Sequence, residues 1–149
     1  MAKIFMLEGY DGSGKTSVAK EIAKRLGIRY CHFFSAYGIQ YDTEPLSVTE
    51  DELINMTKKA LDKALECKED TIFDRGLITP ISALPEKRWD EFKKYFEQIP
   101  LVMCYANLED TISRLKARHE DESTWYDNEY WININIKIAQ KFHVPIVNT

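Results

Sequence analysis

The residues best suited to chemistry lie near the start of the chain, in Gly9-Tyr10-Asp11-Gly12-Ser13-Gly14-Lys15-Thr16. This run satisfies G-x-x-x-x-G-K-[ST] at every fixed position. Glycines let the backbone curl until successive N–H groups converge on phosphate oxygens, which side chains would obstruct. A helix starting at the end of the run adds positive potential at its N-terminus. Lys15 then reaches the β- and γ-phosphates, and the Thr16 hydroxyl can take a place on Mg²⁺. The expected ATP-binding set is Gly9, Asp11, Gly12, Ser13, Gly14, Lys15, Thr16 and Ser17, with ATP and Mg²⁺ as cofactors.

Such a cradle works only between a strand and a helix, and both flank it. Lys3 to Leu7 is apolar except at its start and reads as a buried strand. Gly14 to Leu26 reads as a helix, with Val18, Ile22 and Leu26 four apart and Gly27 as its stop. Further along, Arg29 to Phe34 reads as a second strand and Ser35 to Leu46 as a loop. Thr49 and Glu52 form a capping box for a helix running to about Cys67, with Leu53, Met56, Ala60 and Ala64 on one face. Strands follow at Thr71 to Asp74, Leu101 to Tyr105 and Pro145 to Asn148. Pro80 and Pro85 mark helix starts, and Asn107 caps a helix reaching about Arg118. Another helix spans about Tyr126 to Phe142. The stripe Trp89, Phe92, Tyr95 and Phe96 reads as core. Short strands alternating with helices predict an α/β fold of three layers, a five-stranded parallel sheet flanked by helices. Residues 1–149 form a single domain in this reading.

Composition narrows the function. A net charge of -4 implies no broad basic face and counts against nucleic acid as the main partner. Apolar runs fall short of the roughly 20 residues a membrane span needs. Glu8 cuts off the initial apolar run before it could serve as a signal peptide, so the expected location is the cytoplasm. Cys31, Cys67 and Cys104 lack CxxC or Cys/His ligand spacing and read as reduced thiols. A signalling GTPase would carry Asn-Lys-x-Asp after a later strand. Asn107-Leu108-Glu109-Asp110 lacks the lysine, so a small-molecule kinase is favoured.

Glu8 to Ser17, together with Ile72-Phe73-Asp74-Arg75, resembles the thymidylate kinases and related deoxynucleoside kinases. Leu108 to Arg118 is similar to the helix that leads into their arginine-bearing lid, here about residues 114–126. The resemblance implies a P-loop kinase fold and a role for each matching residue. Asp11 would contact the acceptor's sugar, Asp74 would help hold Mg²⁺ with Thr16, and Arg75 would grip an acceptor phosphate. Lys15, Arg75, Arg114 and Arg118 would form the catalytic set. Independently, phosphoryl transfer spreads negative charge over equatorial oxygens and calls for a cationic clamp. Arg114 and Arg118 are four apart and share a helix face, which equally suits a solvated helix end.

The pattern is not matched throughout. The Arg-Glu-Pro expected after the second strand is absent, and Glu44-Pro45 lies ten residues on. The aromatic residue expected after Asp-Arg is Gly76. The expected activity is transfer of the ATP γ-phosphoryl group to a (deoxy)nucleoside monophosphate. The alternatives are a deoxynucleoside kinase, a kinase of a non-nucleotide metabolite, and a nucleotide-binding regulatory module. Small-molecule nucleotides are the expected partners, and a homodimer stays open.

Overall fold

The computed structural model describes residues 2–10, 12–37, 48–117 and 128–149. Five strands, β1 (Ile4–Glu8), β2 (Arg29–His32), β3 (Thr71–Asp74), β4 (Leu101–Tyr105) and β5 (Ile146–Asn148), form one sheet in the order β2-β3-β1-β4-β5. Every pairing is parallel, with Leu7 beside Asp74 and Glu8 beside Met103. β1 is therefore central, and its C-terminal end opens between those of β3 and β4, where parallel α/β sheets bind ligands.

Two apolar layers sandwich the sheet. On one face Leu7, Ile72 and Cys104 meet α1 (Lys15–Leu26). Ala19 and Ala23 are the α1 residues buried there, while Leu26 is 67% exposed and does not join the face expected of it. Small side chains at the contact let the helix lie close to the sheet, and the larger Val18 and Ile22 flank it. On the other face Met6, Phe73 and Met103 belong to a core shared with α3 (Glu50–Leu65), α4 (Ile78–Ser82), α5 (Lys93–Gln98) and α7 (Asn128–Lys141). The three-layer expectation holds. The expected aromatic stripe is core, with Trp89, Phe92 and Tyr95 each at most 1% exposed. Trp89 donates its indole N–H to Leu84 O at 3.1 Å, and Tyr95 its hydroxyl to Asp62 at 2.8 Å.

Several boundaries differ from the sequence reading. β2 stops at His32, not Phe34, and Phe33–Tyr37 forms a short helix, α2. Adjacent residues of a strand face opposite ways. Leaving the strand lets Phe33 and Phe34 bury together, with Phe33 edge-on to Phe34, Tyr37 and Phe73 at centroid distances of 5.7, 5.2 and 5.8 Å. Pro80 is the third residue of α4 rather than its first, and Pro85 precedes a 3₁₀ helix, Glu86–Phe92. Thr49 caps α3 as expected, its hydroxyl accepting from Glu52 N–H at 3.1 Å, while the Glu52 carboxylate meets that hydroxyl at 3.2 Å. Asn107 caps α6 (Leu108–Ala117) by accepting from Asp110 N–H at 2.8 Å.

Candidate phosphate-binding site

The loop between β1 and α1 leaves no room for side chains at its glycines. Gly9 has φ 151°, and a Cβ there would collide with Ser13 Oγ and lie 2.9 Å from Cys104 O. Gly12 has φ 84°, in the left-handed region, with Thr111 within 3.0 Å of the same imagined atom. Ser13 N–H bonds back to Tyr10 O at 3.1 Å, closing a turn, and Gly14 leads into α1. Tyr10 anchors the loop from beneath. Its hydroxyl donates to Ala106 O and accepts from Ala106 N–H at 2.7 Å. Burial raises the phenol's pKa and keeps it protonated for that double role.

Lys15 is the first residue of α1 and only 6% exposed. Its charge acts on Cys104 of β4, whose thiol burial pushes up to about 11 while Lys15 opposes the shift. Cys104 is thus a neutral packing residue beneath the cradle, as the sequence reading of its thiols expected.

Thr16 and Asp74 meet. The Thr16 hydroxyl donates to Asp74 Oδ2 at 2.7 Å, and Tyr30 OH donates to the same oxygen at 2.6 Å. Asp74 is fully buried, and its other oxygen, Oδ1, has no hydrogen-bond partner. A buried carboxylate oxygen left bare is costly, and a hard, oxygen-seeking cation with its water shell would satisfy it. The donors present therefore fit Mg²⁺. Tyr30 was not anticipated as a site residue. Burial and then the Asp74 hydrogen bond raise its pKa well above the ordinary phenol value, so it remains a donor. The Lys20 ammonium lies 5.5 Å from its ring centroid.

Arg75 follows directly, in a left-handed conformation with φ 71° that is uncommon for a long side chain. Its N–H is held by Leu7 O at 2.8 Å, beside the start of the cradle. Its guanidinium carbon is 6.0 Å from the Phe34 ring centroid, a cation–π distance.

Arg114 lies on the carbonyl side of the loop. Its guanidinium donates to Gly12 O at 3.1 Å, to the Thr149 hydroxyl at 3.0 Å and to Thr149 O at 3.0 Å. The Thr149 hydroxyl in turn donates to Ser13 O at 2.5 Å. Arg114 thereby braces the cradle against the end of β5. Asp11, Arg118 and Glu44 lie outside the described residues, as does the expected lid beyond Ala117.

A second residue that sequence reasoning left without a role is Glu8. It is fully buried, and its carboxylate accepts from Gly76 N–H at 2.7 Å, Thr79 N–H at 2.9 Å, Thr79 Oγ1 at 2.6 Å and Gly9 N–H at 3.2 Å. The available signal was a charged residue placed between an apolar strand and the first cradle glycine.

A parallel sheet in this order, with a phosphate loop leaving its central strand, is the P-loop kinase fold. The chain belongs to the AAA domain family, whose model matches residues 6–132. Its fold is similar to that of a shikimate kinase from Acinetobacter baumannii solved with shikimate, with TM-score 0.67 and 15% identity over 100% of this chain and 84% of that one. A gluconokinase from Sinorhizobium meliloti 1021 gives TM-score 0.66 and 16% identity, over 99% and 82% of the two chains. A deoxyadenosine kinase from M. mycoides with bound dATP gives 0.52 and 20%, over 98% and 90%. Among curated proteins none matches the chain.

Two substitutions test this geometry by nucleotide binding alone. If Lys15 holds phosphate as the motif implies, Lys15→Ala removes a charge-assisted contact worth about 1.5–3 kcal/mol, and calorimetry should show ATP affinity falling about 10- to 100-fold. Tyr30→Phe removes one of the two donors to Asp74 Oδ2. The Mg²⁺ concentration needed for half-maximal tightening of ATP binding should then rise about 10-fold or more, with Mg²⁺-free binding unchanged.

Proposed function

We propose that the protein transfers the γ-phosphoryl group of ATP to a deoxynucleoside monophosphate, acting as a single P-loop kinase domain. The observation that carries the acceptor assignment is Arg75, a cation held by its own backbone at the C-terminal end of β3, one residue beyond Asp74 and beside the cradle. In the transfer the bond from the γ-phosphorus to the β–γ bridging oxygen breaks, and a bond to an acceptor phosphate oxygen forms. That oxygen is already ionised at neutral pH, because a monophosphate's second pKa is about 6. The acceptor therefore needs a cation more than a base, and Arg75 supplies one. Loop amides and Lys15 hold the β- and γ-phosphates. Mg²⁺, when held near Thr16 and Asp74, neutralises charge on the same oxygens. Asp11 is assigned to the acceptor's sugar and Arg118 to the transferring group, on the resemblance described above. Arg114 contributes by bracing Gly12.

One observation favours a second reading, a kinase acting on a neutral hydroxyl. Such an acceptor must lose a proton as it attacks and benefits from a positioned base. β2 ends at His32, in register with Asp74, and His32 Nδ1 lies 3.2 Å from Ser35 Oγ. The imidazole rather than a carboxylate would be the base there, with Glu44 as the other candidate. The shikimate kinase, gluconokinase and deoxyadenosine kinase named above are likewise named for acceptors other than monophosphates.

Release of ADP, measured with each deoxynucleoside, each deoxynucleoside monophosphate, shikimate and gluconate, separates the readings. Monophosphates should be turned over at least about 10-fold faster than the hydroxyl acceptors, and Arg75→Ala should raise KM for the monophosphate. Strong turnover of a hydroxyl acceptor that collapses in His32→Ala or Glu44→Gln would overturn the monophosphate assignment.

A further inference from the structure

The Glu8 carboxylate is a costly group to bury, since removing an ionised carboxylate from water carries a penalty of several kcal/mol even after relaxation. The protein offsets that penalty with four donors, three of them from one short segment, Gly76 to Thr79. The fourth is Gly9 N–H, the first amide of the phosphate loop. One side chain therefore joins the entry to the cradle to the turn that follows Arg75. The fit is close. A Cβ at Gly76 would meet the Met6 side chain, which would have to shift, and the Gly76 amide lies 2.7 Å from Glu8 Oε1.

Arg75 is held from both sides by this arrangement. On one side its own N–H is tied to Leu7 O, the residue before Glu8. On the other, the next residue's N–H is tied to the Glu8 side chain. The left-handed backbone at Arg75 is strained and persists only where its surroundings over-determine it. The two flanking bonds supply that constraint.

We infer that Glu8 is a positioning residue that couples occupancy of the phosphate cradle to the placement of Arg75. Nucleotide phosphates drawing on the loop amides fix Gly9, and Glu8 passes that order to Gly76 and Thr79. Arg75 is thereby set in its acceptor-facing conformation when the donor is bound. The role assigned to Arg75 rests on the reading of the acceptor as a monophosphate. The coupling itself does not.

Hydrogen exchange of residues 75–79, with and without saturating ATP, tests the coupling. In the wild-type protein ATP should slow exchange in this segment about 5-fold or more. Glu8→Gln keeps the side chain's size but removes its charge and presents an NH₂ group toward donors. With ATP raised to saturate the variant, its exchange at 75–79 should be faster than wild type without ATP and no longer respond to ATP. Thr79→Val removes one donor, keeps both backbone amides and should give an intermediate response, which preserves the test if Glu8→Gln does not fold. An equal ATP response in the wild type and in the folded variant, or no response in the wild type, would overturn the inference. The readout requires no turnover, so failure to phosphorylate any monophosphate would sink the acceptor assignment without touching this result. Where monophosphates are used, Glu8→Gln should lower kcat about 10- to 100-fold at saturating ATP. A purely structural role would instead lower kcat by no more than the unfolded fraction of the variant, which its thermal melt measures.

Discussion

A Cβ at Gly9 would strike the Ser13 hydroxyl and press on the Cys104 carbonyl, so β1 must hand over to α1 through bare backbone. That steric constraint dictates much else. The glycines bring no side chains to hold the loop's shape, and the groups around them do so. Tyr10 clamps it from below onto Ala106, Arg114 and Thr149 hold the Gly12 and Ser13 carbonyls, and Glu8 anchors the amide at its start. The Gly9 and Ser13 amides are themselves engaged, with the Glu8 carboxylate and Tyr10 O. The central place of β1 in the sheet follows as well, because only a central strand can deliver the loop between the ends of two neighbours.

The two buried carboxylates of the site do opposite work. Glu8 is saturated with donors and is structural in chemistry, a tie between loop and turn. Asp74 takes two donors on one oxygen and leaves the other bare. Burial would make that bare oxygen a liability in a merely structural residue. In a site that holds a hard cation it is the open position. The difference between the two residues is one of satisfied valence, and it separates scaffolding from chemistry more sharply than position along the chain.

The parts of this arrangement visible in the sequence are those set by local rules. Glycine spacing reveals the cradle, and the apolar runs Thr71 to Asp74 and Leu101 to Tyr105 reveal strands buried on both faces. Thr49 and Glu52 reveal a helix start because cap and partner are three residues apart. The end of β2 was missed because Phe33 and Phe34 are good strand residues individually. Only the core around Phe73 makes burying both together more favourable. Glu8 and Tyr30 were missed as site residues because their partners are remote, Gly76 and Thr79 being 68 and 71 residues from Glu8 and Asp74 being 44 from Tyr30. No spacing rule reaches that far. Arg114 illustrates the converse. Its helix position was legible, but its engagement with Thr149, 35 residues on, was not.

The proposed transfer requires donor and acceptor phosphates to meet between the cradle and Arg75. A crystal structure with a bisubstrate analogue, adenosine joined to a deoxynucleoside through five phosphates, tests it most directly. The account predicts the phosphate chain running from the amides of Gly12 to Thr16, past Lys15, to the Arg75 guanidinium, with a metal ion beside Asp74 Oδ1. An analogue bound by its adenosine end alone, with the second nucleoside in solvent and Arg75 turned away from the phosphates, would contradict it.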